Sequence, residues 1–531
     1  MSQIILFCAI VIFSCIITNK FSNKLGMPTL VFFMFLGVLF GCDGVLKISF
    51  DDYDLTSKLC SIGLLFIIFY GGFCTKKPEN KTIAIQAILL SSLGTILTAG
   101  FVFLFCNFIL KIPTIESFLI GTVISSTDAA SVFSILKSKR LNLKYSTAPI
   151  LEMESGSNDP FAYILTILGI ALLTGGSAVE LTPLLFKQVL FGVFFGAAVA
   201  YFGIWVLNKT KLIQSGTDTI FIVALALFSF AIPDLLQGNG FLSVYISGII
   251  LGNSEIKNKI SLIHFFDGIT ALFQVLIFFL IGFLSTPSKI PQVIAPALLI
   301  MVFLTFVARP IAIAGIMLPF KAKLNQISFI SSAGLRGAAS IVFAILVVAQ
   351  SVEFKYDLFH IVFVVVLLSI IFQGTLLPYF ARKTNMIDRY SDVRKTFNDF
   401  QQESAINLNK IKIKNSHPWL NCKVKDVTLS DNSLILFIKR DGEKIVPCGE
   451  TEFFENDEIL IGTTVIDSKD EIDLCETIID KDHEWLDKKI SEIDCGCNFL
   501  IALIKRSEEY FVPNGESKIL LNDTLIFYES R

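Results

Sequence analysis

Thirteen predominantly apolar windows, separated by short polar segments, dominate the first 385 residues. Windows of this kind predict helices that cross about 30 Å of hydrocarbon. An odd number of crossings puts the two ends of this region on opposite sides of a membrane. The windows lie near 3–19, 28–41, 59–74, 82–109, 115–137, 148–174, 183–207, 217–233, 238–253, 261–285, 291–319, 326–350 and 356–381.

The loops between the windows alternate in basic content. Loops rich in Lys and Arg stay on the cytoplasmic side. The sequence therefore predicts a multi-pass protein of the cell membrane with its N-terminus outside and its C-terminal tail in the cytoplasm. The basic loops hold Lys20, Lys24, Lys76, Lys77, Lys81, Lys137, Lys139, Arg140, Lys144, Lys209, Lys211, Lys257, Lys259, Lys321, Lys323, Arg382 and Lys383.

The composition supports this division. Only 17% of residues are charged and 53% are hydrophobic, whereas soluble proteins carry about 25% charged residues, so a water-soluble protein is excluded. The formal net charge of −2 lacks the basic excess that nucleic-acid binding needs. More than half of the acidic residues lie beyond position 385, which indicates a soluble tail after a membrane domain.

The eleven cysteines are scattered and predict neither a disulfide framework nor a metal site. Cys495 and Cys497 form a C-x-C without a second ligand pair nearby. The first window lacks the basic start and cleavage site of a signal peptide, so we expect it to remain as a helix. No cofactor is expected.

Five of the charged residues inside the apolar windows stand out: Asp128, Glu154, Asp159, Arg309 and Arg336. A charge at mid-membrane costs about 2.5–3.5 kcal/mol on insertion scales. One interpretation is that some of them form buried structural ion pairs. Three acids and two arginines in four helices, each flanked by small or helix-interrupting residues, favour an ion pathway instead.

Two windows contain sequences that interrupt a helix. Asp128 ends the run S-S-T-D, which is made of poor helix formers, and Arg336 lies within G-L-R-G. Paired interruptions in two halves of a chain indicate a transporter site near the midplane. Free hydroxyls and carbonyls at such breaks suit a hard alkali cation.

Helical geometry separates the acids of the sixth window. At about 100° per residue, Glu154 shares a face with Asn158, and Asp159 shares a face with Ser155. The two acids point about 140° apart, so we predict separate roles. One neutralises an arginine, while the other binds a cation or a proton in turn, which couples the two fluxes as exchange.

At these motifs the sequence resembles the NhaP-type sodium or potassium/proton antiporters of the cation:proton antiporter superfamily. The matching motifs are Thr127–Asp128, E-S-G-S-N-D-P from Glu154 to Pro160, and G-L-R-G, in family order. The resemblance covers roughly residues 1–385. It implies an α-helical fold of about thirteen transmembrane helices with NhaA-like inverted repeats and two broken helices, elevator-type alternating access, and a homodimer.

The resemblance also implies residue roles. Asp159 is the carrier of ion and proton, Asn158 is its neighbour, and Thr127 and Asp128 lie at the crossing of the broken helices. The Asn–Asp pair is similar to that of the electroneutral branch. We add Ser155, on the face of Asp159, to the ion-binding candidates.

The same pattern makes Glu154 the partner of an arginine. Arg309 is the first choice and Arg336 the second.

The tail repeats itself at a constant offset of 66 residues, which indicates a duplicated small domain. We predict a linker over 386–405 and two α+β domains over 406–465 and 466–531. Each unit is expected to contain an opening helix, a hairpin strand, a short strand ending in V-P-x-G and a last strand. The identities include His417/His483, Trp419/Trp485, Lys439/Lys505, Arg440/Arg506, Val446/Val512, Pro447/Pro513, Asn456/Asn522 and Asp457/Asp523.

Each repeat resembles the TrkA-C (RCK-C) domain of potassium channels and transporters. The resemblance implies a regulatory module, which in some relatives binds cyclic di-AMP, and two copies that pair with each other. A strand followed by G-x-G-x-x-G is not found between the membrane domain and the repeats, which disfavours NAD control.

Four basic residues are candidates for binding an anionic ligand, although an exposed strand edge explains them equally well: Lys439, Arg440, Lys505 and Arg506. The repeated histidine and tryptophan are more simply explained as the start of a helix with a packed indole.

These features favour a potassium/proton antiporter, not an enzyme, that controls cytoplasmic potassium and pH and is regulated through its tail. Sodium/proton exchange is the nearest alternative, because the motifs do not encode the ion. A tail-gated potassium channel is disfavoured because no TVGYG-like filter occurs. An intramembrane enzyme is disfavoured because His264 and His360 lack a partner motif.

Overall fold

The chain divides into two compact units, Met1–Ile387 and Asp388–Arg531. The structure is a computed structural model, and it describes residues 2, 6, 9–17, 28–77, 80–139, 141–176, 178–209, 217–254, 256, 259–350, 352, 354–388, 407–413, 417, 419–427, 429, 433–440, 443–463, 474–480, 483, 485–493, 499–506, 509–511 and 513–529.

The first unit is built of helices, with two short strands, β1 (Asn142–Leu143) and β2 (Ile387–Asp388), at its edge. The helices are α1 (9–17), α2 (Thr29–Phe40), α3 (Tyr53–Cys74), α4 (Lys81–Ile109), α5 (Thr114–Val123), α6 (Ala129–Ser138), α7 (Thr147–Leu173), α8 (Ala178–Lys209), α9 (Asp218–Leu235), α10 (Gly240–Gly252), α11 (Lys259–Leu284), α12 (Pro287–Phe320), α13 (Leu324–Ser332), α14 (Ala338–Val348) and α15 (Leu358–Lys383).

Each predicted window falls on one of these helices or on a pair of half-helices. Within the described residues, eight helices are long and apolar enough to cross a membrane, and α2, α5, α10 and α14 are shorter apolar helices. The prediction of an α-helical polytopic membrane domain is therefore confirmed. The predicted interruptions are also present, between α5 and α6 and between α13 and α14.

Side-chain caps fix where several helices begin. Asp52 accepts a hydrogen bond from the backbone N–H of Leu55 at 2.8 Å at the start of α3. Asn239 accepts one from Leu242 at 2.9 Å at the start of α10. Such caps satisfy N–H groups that the first turn of a helix leaves without a partner.

Helices α4, α12 and α15 each contain wider π-helical turns. These turns lie at Leu90–Gly94, Phe105–Ile109, Leu304–Ala308 and Ser369–Gly374. A π turn changes which side chains face a neighbouring helix, and such turns are frequent at functional sites. Two of the four adjoin the polar residues described below.

Glycines allow α2 and α11 to pack closely. A Cβ atom on Gly37 would collide with the backbone of Phe279, and one on Gly282 would collide with the backbone of Met34. Small residues at a helix contact let the two backbones approach, as is common in membranes.

The second unit contains two four-stranded antiparallel sheets with the orders β3-β6-β4-β5 and β7-β10-β8-β9. Both sheets therefore have the same topology, in agreement with the duplication of the sequence. Their strands are β3 (Asn407–Lys412), β4 (Ser433–Arg440), β5 (Glu443–Ile445), β6 (Glu458–Thr463), β7 (Leu474–Ile478), β8 (Phe499–Arg506), β9 (Glu509–Phe511) and β10 (Thr524–Glu529).

The predicted opening helix of each repeat is wrong. Turns and a single 3-10 turn, Val424–Asp426 in the first repeat and Ile490–Glu492 in the second, occupy this segment. The backbone pairs with a later segment instead, since the N–H of Val424 donates to the carbonyl of Thr451 at 2.9 Å. Tertiary hydrogen bonds here override a helix-like spacing of apolar residues.

Each sheet buries its own core, and the two sheets also contact each other. Trp419 packs on the first core and Trp485 on the second. On the first sheet's other face, Leu436 and Leu460 are buried together with Ala502 of β8. The two repeats thus form one apolar interface inside the second unit.

Candidate ion-binding site

The two interrupted crossings meet at their breaks. The N–H of Asp128 donates to the carbonyl of Leu335 at 2.8 Å. The buried guanidinium of Arg336 donates through Nη1 to the carbonyls of Ser125 at 2.7 Å and Ser126 at 2.8 Å. Arg336 therefore satisfies carbonyl groups at the C-terminal end of α5, where the helix dipole favours a positive charge.

Helix α7 lies against the first break and contributes three of the predicted residues. Asp159 accepts a hydrogen bond from the Ser126 hydroxyl. Asn158 Nδ2 donates to Thr127 Oγ1 at 2.5 Å, and Ser155 Oγ donates to the Thr127 carbonyl at 2.5 Å. The structure thus brings a carboxylate, an amide and hydroxyl groups together beside the break.

Asp128 has a second function as the cap of α6. Its carboxylate accepts hydrogen bonds from the N–H of Ser131 at 3.2 Å and from the hydroxyl of Ser131 at 2.5 Å. It is near enough to Asp159 for electrostatic interaction between the two carboxylates. Gly337 lies against it, and a Cβ atom there would collide with the Asp128 side chain.

Glu154 forms an ion pair with Arg309, not with Arg336. Arg309 Nη2 lies 2.8 Å from Glu154 Oε1, and both side chains are buried. In the described part of the chain, Glu154 Oε2 and Arg309 Nε are buried without a hydrogen-bond partner. The pair therefore keeps hydrogen-bonding capacity, which water or a rearranged neighbour can satisfy.

The charges at the crossing do not cancel. Three carboxylates, of Asp128, Glu154 and Asp159, stand against two guanidinium groups, of Arg309 and Arg336. Arginine stays protonated in proteins, so the fully ionised site keeps one negative charge. One monovalent cation or one proton neutralises it.

A chain of polar side chains that the sequence did not predict lies behind Arg336. The N–H of Arg336 donates to Ser369 Oγ at 3.0 Å, the Ser369 hydroxyl donates to Gln373 Oε1 at 2.5 Å, and Gln373 Nε2 donates to Thr305 Oγ1 at 3.0 Å. Ser369, Gln373 and Thr305 lie in the π turns of α15 and α12. The signal in the sequence was Gln373, a polar residue well inside an apolar window.

In the tail, the two candidate arginines are bound inside their own repeats. Arg440 contacts Asp457 through two hydrogen bonds of 2.8 and 2.7 Å, and Arg506 contacts Asp523 through two of 2.9 and 2.8 Å. The hydrogen bond to Asp523 raises the pKa of Arg506. Of the four basic candidates, only the side chains of the lysines, Lys439 and Lys505, are outside these pairs.

The repeated histidines have a structural contact. His417 Nδ1 accepts a hydrogen bond from the N–H of Trp419 at 3.2 Å, and His483 does the same for Trp485 at 3.2 Å. Because the indole rings pack on the two cores, these residues stabilise the repeats.

A domain of apolar crossings, with two interrupted helices that meet beside buried carboxylates, defines a secondary transporter of cations. Comparison with known proteins identifies it further. The family model for the transmembrane sodium/hydrogen exchangers matches residues 9–383, and the TrkA-C domain matches residues 410–465. The chain therefore belongs to the sodium/hydrogen exchanger family, and it is a cation/proton antiporter with a TrkA-C regulatory domain.

Individual relatives agree with this assignment. The chain is 30% identical over 460 residues to the K(+)/H(+) antiporter NhaP of Alkalimonas amylolytica, covering 86% of this chain and 80% of the relative. It is 29% identical over 444 residues to the K(+)/H(+) antiporter NhaP2 of Shewanella sp. (strain MR-4), covering 82% of this chain and 77% of the relative.

The fold also has a solved counterpart. The sodium proton antiporter MjNhaP1 from Methanocaldococcus jannaschii, at pH 8, superposes with a TM-score of 0.62 and 21% identity. The match covers 72% of this chain and 99% of that chain. It establishes the helical antiporter fold of the membrane domain.

Proposed function

We propose that this antiporter exchanges potassium for protons electroneutrally and that Asp159 binds the two ions in turn. The observation that carries this proposal is the charge balance at the crossing, where the ionised residues retain a single negative charge. A site with one excess negative charge binds one monovalent cation or one proton, so one crosses in each direction.

The contacts support distinct roles for the predicted residues. Asp159 carries the exchanged charge, and Asn158, Ser155 and Thr127 orient it or supply oxygen ligands. Asp128 caps α6 and contributes its charge. Glu154 and Arg309, with Arg336 behind the break, are proposed to hold the half-helices in place.

Potassium is favoured over sodium by two observations. The relatives with about 30% identity over most of the chain are named as K(+)/H(+) antiporters. The tail resembles a domain found on potassium transport proteins. Sodium remains the second candidate, since a relative in Methanocaldococcus jannaschii, 24% identical over 355 residues, is named a probable Na(+)/H(+) antiporter.

The orientation and assembly complete the proposal. We place the N-terminus outside the cell and the tail in the cytoplasm, on the basis of the basic loops. We divide the chain into a transport domain (1–385), a linker (386–405) and two TrkA-C-like domains (406–465 and 466–531). We expect a homodimer, with the tail binding a small ligand such as a cyclic dinucleotide and so regulating potassium and pH homeostasis.

The carrier role is tested by Asp159→Asn in proteoliposomes. Removing the titrating charge is expected to abolish cation-dependent proton flux, with unchanged yield and elution volume of the purified protein. Asp218→Asn, at the start of α9, is the matched control and is expected to retain exchange. Exchange in the Asp159→Asn protein would overturn the assignment.

Ion choice and regulation are tested together. Potassium or sodium is added in turn to vesicles that contain the full-length protein or a variant truncated after residue 390. A potassium-selective proton flux that truncation alters supports the proposal. A sodium-selective flux that truncation does not alter contradicts both parts of it.

A further inference from the structure

The face of α7 that carries Asp159 also carries a second carboxylate, Glu152. Glu152 has no role so far at the site where the two helix breaks meet. Glu152, Gly156, Asp159 and Tyr163 follow one another at intervals of four, three and four residues. At about 100° per residue, all four lie within about 60° of one another around the helix. Glu152 and Asp159 are therefore on the same face, about 10.5 Å apart along the axis.

This face lies against α10. A Cβ atom on Gly156 would lie 2.9 Å from Tyr245 Cε2 and 3.3 Å from the Tyr245 hydroxyl oxygen. About two helical turns further along, the Tyr163 ring packs edge-on against Phe241 with centroids 4.9 Å apart. The Tyr245 ring thus covers Gly156 at a level between the two carboxylates.

The hydroxyl group of Tyr245 meets α7 at Met153, between the levels of the two carboxylates. Tyr245 is buried, and its hydroxyl lies 3.5 Å from the carbonyl of Met153. Ser157 and Thr75 lie close enough for polar contact with it, and Glu152 and Asp159 lie close enough for electrostatic interaction. This hydroxyl is therefore close to both carboxylates, although Glu152 and Asp159 are about two turns apart on α7.

The surroundings of Glu152 are polar and lie where α7 begins. Cys74, at the end of α3, has Glu152, Asp267 and Lys259 as its charged neighbours. Lys259 donates a hydrogen bond to the carbonyl of Gly252 at the end of α10, and the Tyr70 hydroxyl donates to Asp267 at 3.2 Å. Charged and hydroxyl groups from α3, α7, α10 and α11 thus meet at this end of the carboxylate-bearing face.

We propose that Glu152 and the Tyr245 hydroxyl form a transient binding point for the transported monovalent cation, one step before Asp159 on the side of the membrane where α7 begins. A cation that leaves water loses its hydration shell in stages. A carboxylate two turns before the carrier, followed by a hydroxyl, supplies oxygen ligands during that loss. The Tyr245 ring covers Gly156, which lies between Glu152 and Asp159 on α7. The ring therefore separates binding at Glu152 from binding at Asp159.

This inference rests on the proposed function, since it presupposes that Asp159 is the carrier. In the proposed orientation, α7 begins on the cytoplasmic side. Glu152 therefore acts on cations that arrive from the cytoplasm and has little effect on those that arrive from outside.

The test is the sidedness of the apparent KM for potassium. Full-length protein is assayed in everted vesicles, where added potassium meets the cytoplasmic face, and in right-side-out vesicles. Glu152→Gln is expected to raise the apparent KM about threefold to tenfold at the cytoplasmic face, with the maximal rate kept within about twofold. The KM at the outer face is expected to stay unchanged.

Two further variants separate binding from folding. Glu152→Asp retains the charge and is expected to recover most of the affinity, and Tyr245→Phe keeps the ring but is expected to raise the same KM by about twofold to threefold. Asp218→Asn removes a carboxylate at the start of α9, on the same side, and is expected to leave both constants unchanged.

Equal changes of KM on the two sides, a loss of maximal rate without a change in KM, or no effect of Glu152→Gln would each overturn the proposal. These outcomes differ from a failure of the proposed function, which is measured by Asp159→Asn. If that variant still exchanges ions, the carrier assignment fails whatever Glu152 does.

Discussion

The chain contains two kinds of arginine–carboxylate pair, one in the membrane domain and one in the tail. They differ in how many of their polar atoms have hydrogen-bond partners. Arg309 and Glu154 share one contact of 2.8 Å, and among the described residues each keeps a buried atom without a hydrogen-bond partner. Arg440 meets Asp457 through two contacts and also donates to the carbonyl of Glu452 at 2.8 Å. A saturated pair fixes one conformation, whereas a pair with remaining capacity can adjust when its neighbours move.

Breaking the membrane pair is expected to lower the free energy of unfolding more than breaking the tail pair. Arg309→Ala leaves the buried Glu154 without its counter-charge and is expected to destabilise the protein by roughly 3–5 kcal/mol. The measurement is thermal unfolding of the detergent-purified protein. The double variant Glu154→Gln/Arg309→Met removes both charges and is expected to recover most of that loss. A single variant as stable as the native protein would contradict the role of the pair.

The tail pair is expected to come second. Arg440→Ala leaves the fully buried Asp457 without its partner and is expected to cost about 2–3 kcal/mol. Arg506→Ala is expected to cost about 1–2 kcal/mol, because Arg506 is 38% exposed and water screens its pair with Asp523. Amide hydrogen exchange of β4 and β8 in the full-length protein measures both effects.

The order of these two tail variants is the critical result. If Arg506→Ala accelerates hydrogen exchange of β8 more than Arg440→Ala accelerates that of β4, solvent exposure does not determine how much each pair stabilises its sheet.

Replacement by lysine sharpens the comparison. Lysine offers a single charged group, whereas Arg440 uses two nitrogen atoms against Asp457. Arg440→Lys is therefore expected to cost about 1–2 kcal/mol. Arg309→Lys is expected to cost less than Arg309→Ala, because the native pair uses one contact. The same unfolding and exchange measurements apply, and an equal cost of lysine and alanine at Arg309 would contradict the single-contact description.

The smallest effect concerns the ring beneath Arg440. The guanidinium carbon lies 4.3 Å from the centroid of Phe454, and the second repeat has Leu520 at the corresponding position. Phe454→Leu is expected to cost about 0.5–1 kcal/mol, most of it from the lost cation–π contact. The measurement is hydrogen exchange of β4. Leu520→Ala, measured by hydrogen exchange of β8, is the control for a loss of apolar area alone.

The sequence predicted the membrane domain better than the tail, for a physical reason. Apolar windows and small-residue interruptions specify crossings and breaks locally, so every window and both breaks correspond to the structure. The tail strands depend on partners far along the chain. The first strand of each repeat was missed, and a segment that pairs with Thr451 was taken for a helix.

Within the site, residue types were predictable but contacts were not. Spacing separated Glu154 from Asp159 on α7, yet it left two arginines as partners of Glu154. That choice depends on how α12 and α14 approach α7. The hydroxyl of Ser126 on Asp159, and Tyr245 over Gly156, likewise arise from packing between distant segments.

The π turns allow a membrane-spanning helix to accommodate one inserted residue. Such a turn closes hydrogen bonds over five residues rather than four, so it holds one residue more than an α turn. An inserted residue is thereby absorbed within a crossing, while the loops keep their lengths and the helix beyond the turn rotates by about 100°. The turn at Leu304–Ala308 ends immediately before Arg309. Gain or loss of one residue there would place a different side chain opposite Glu154 without altering any loop.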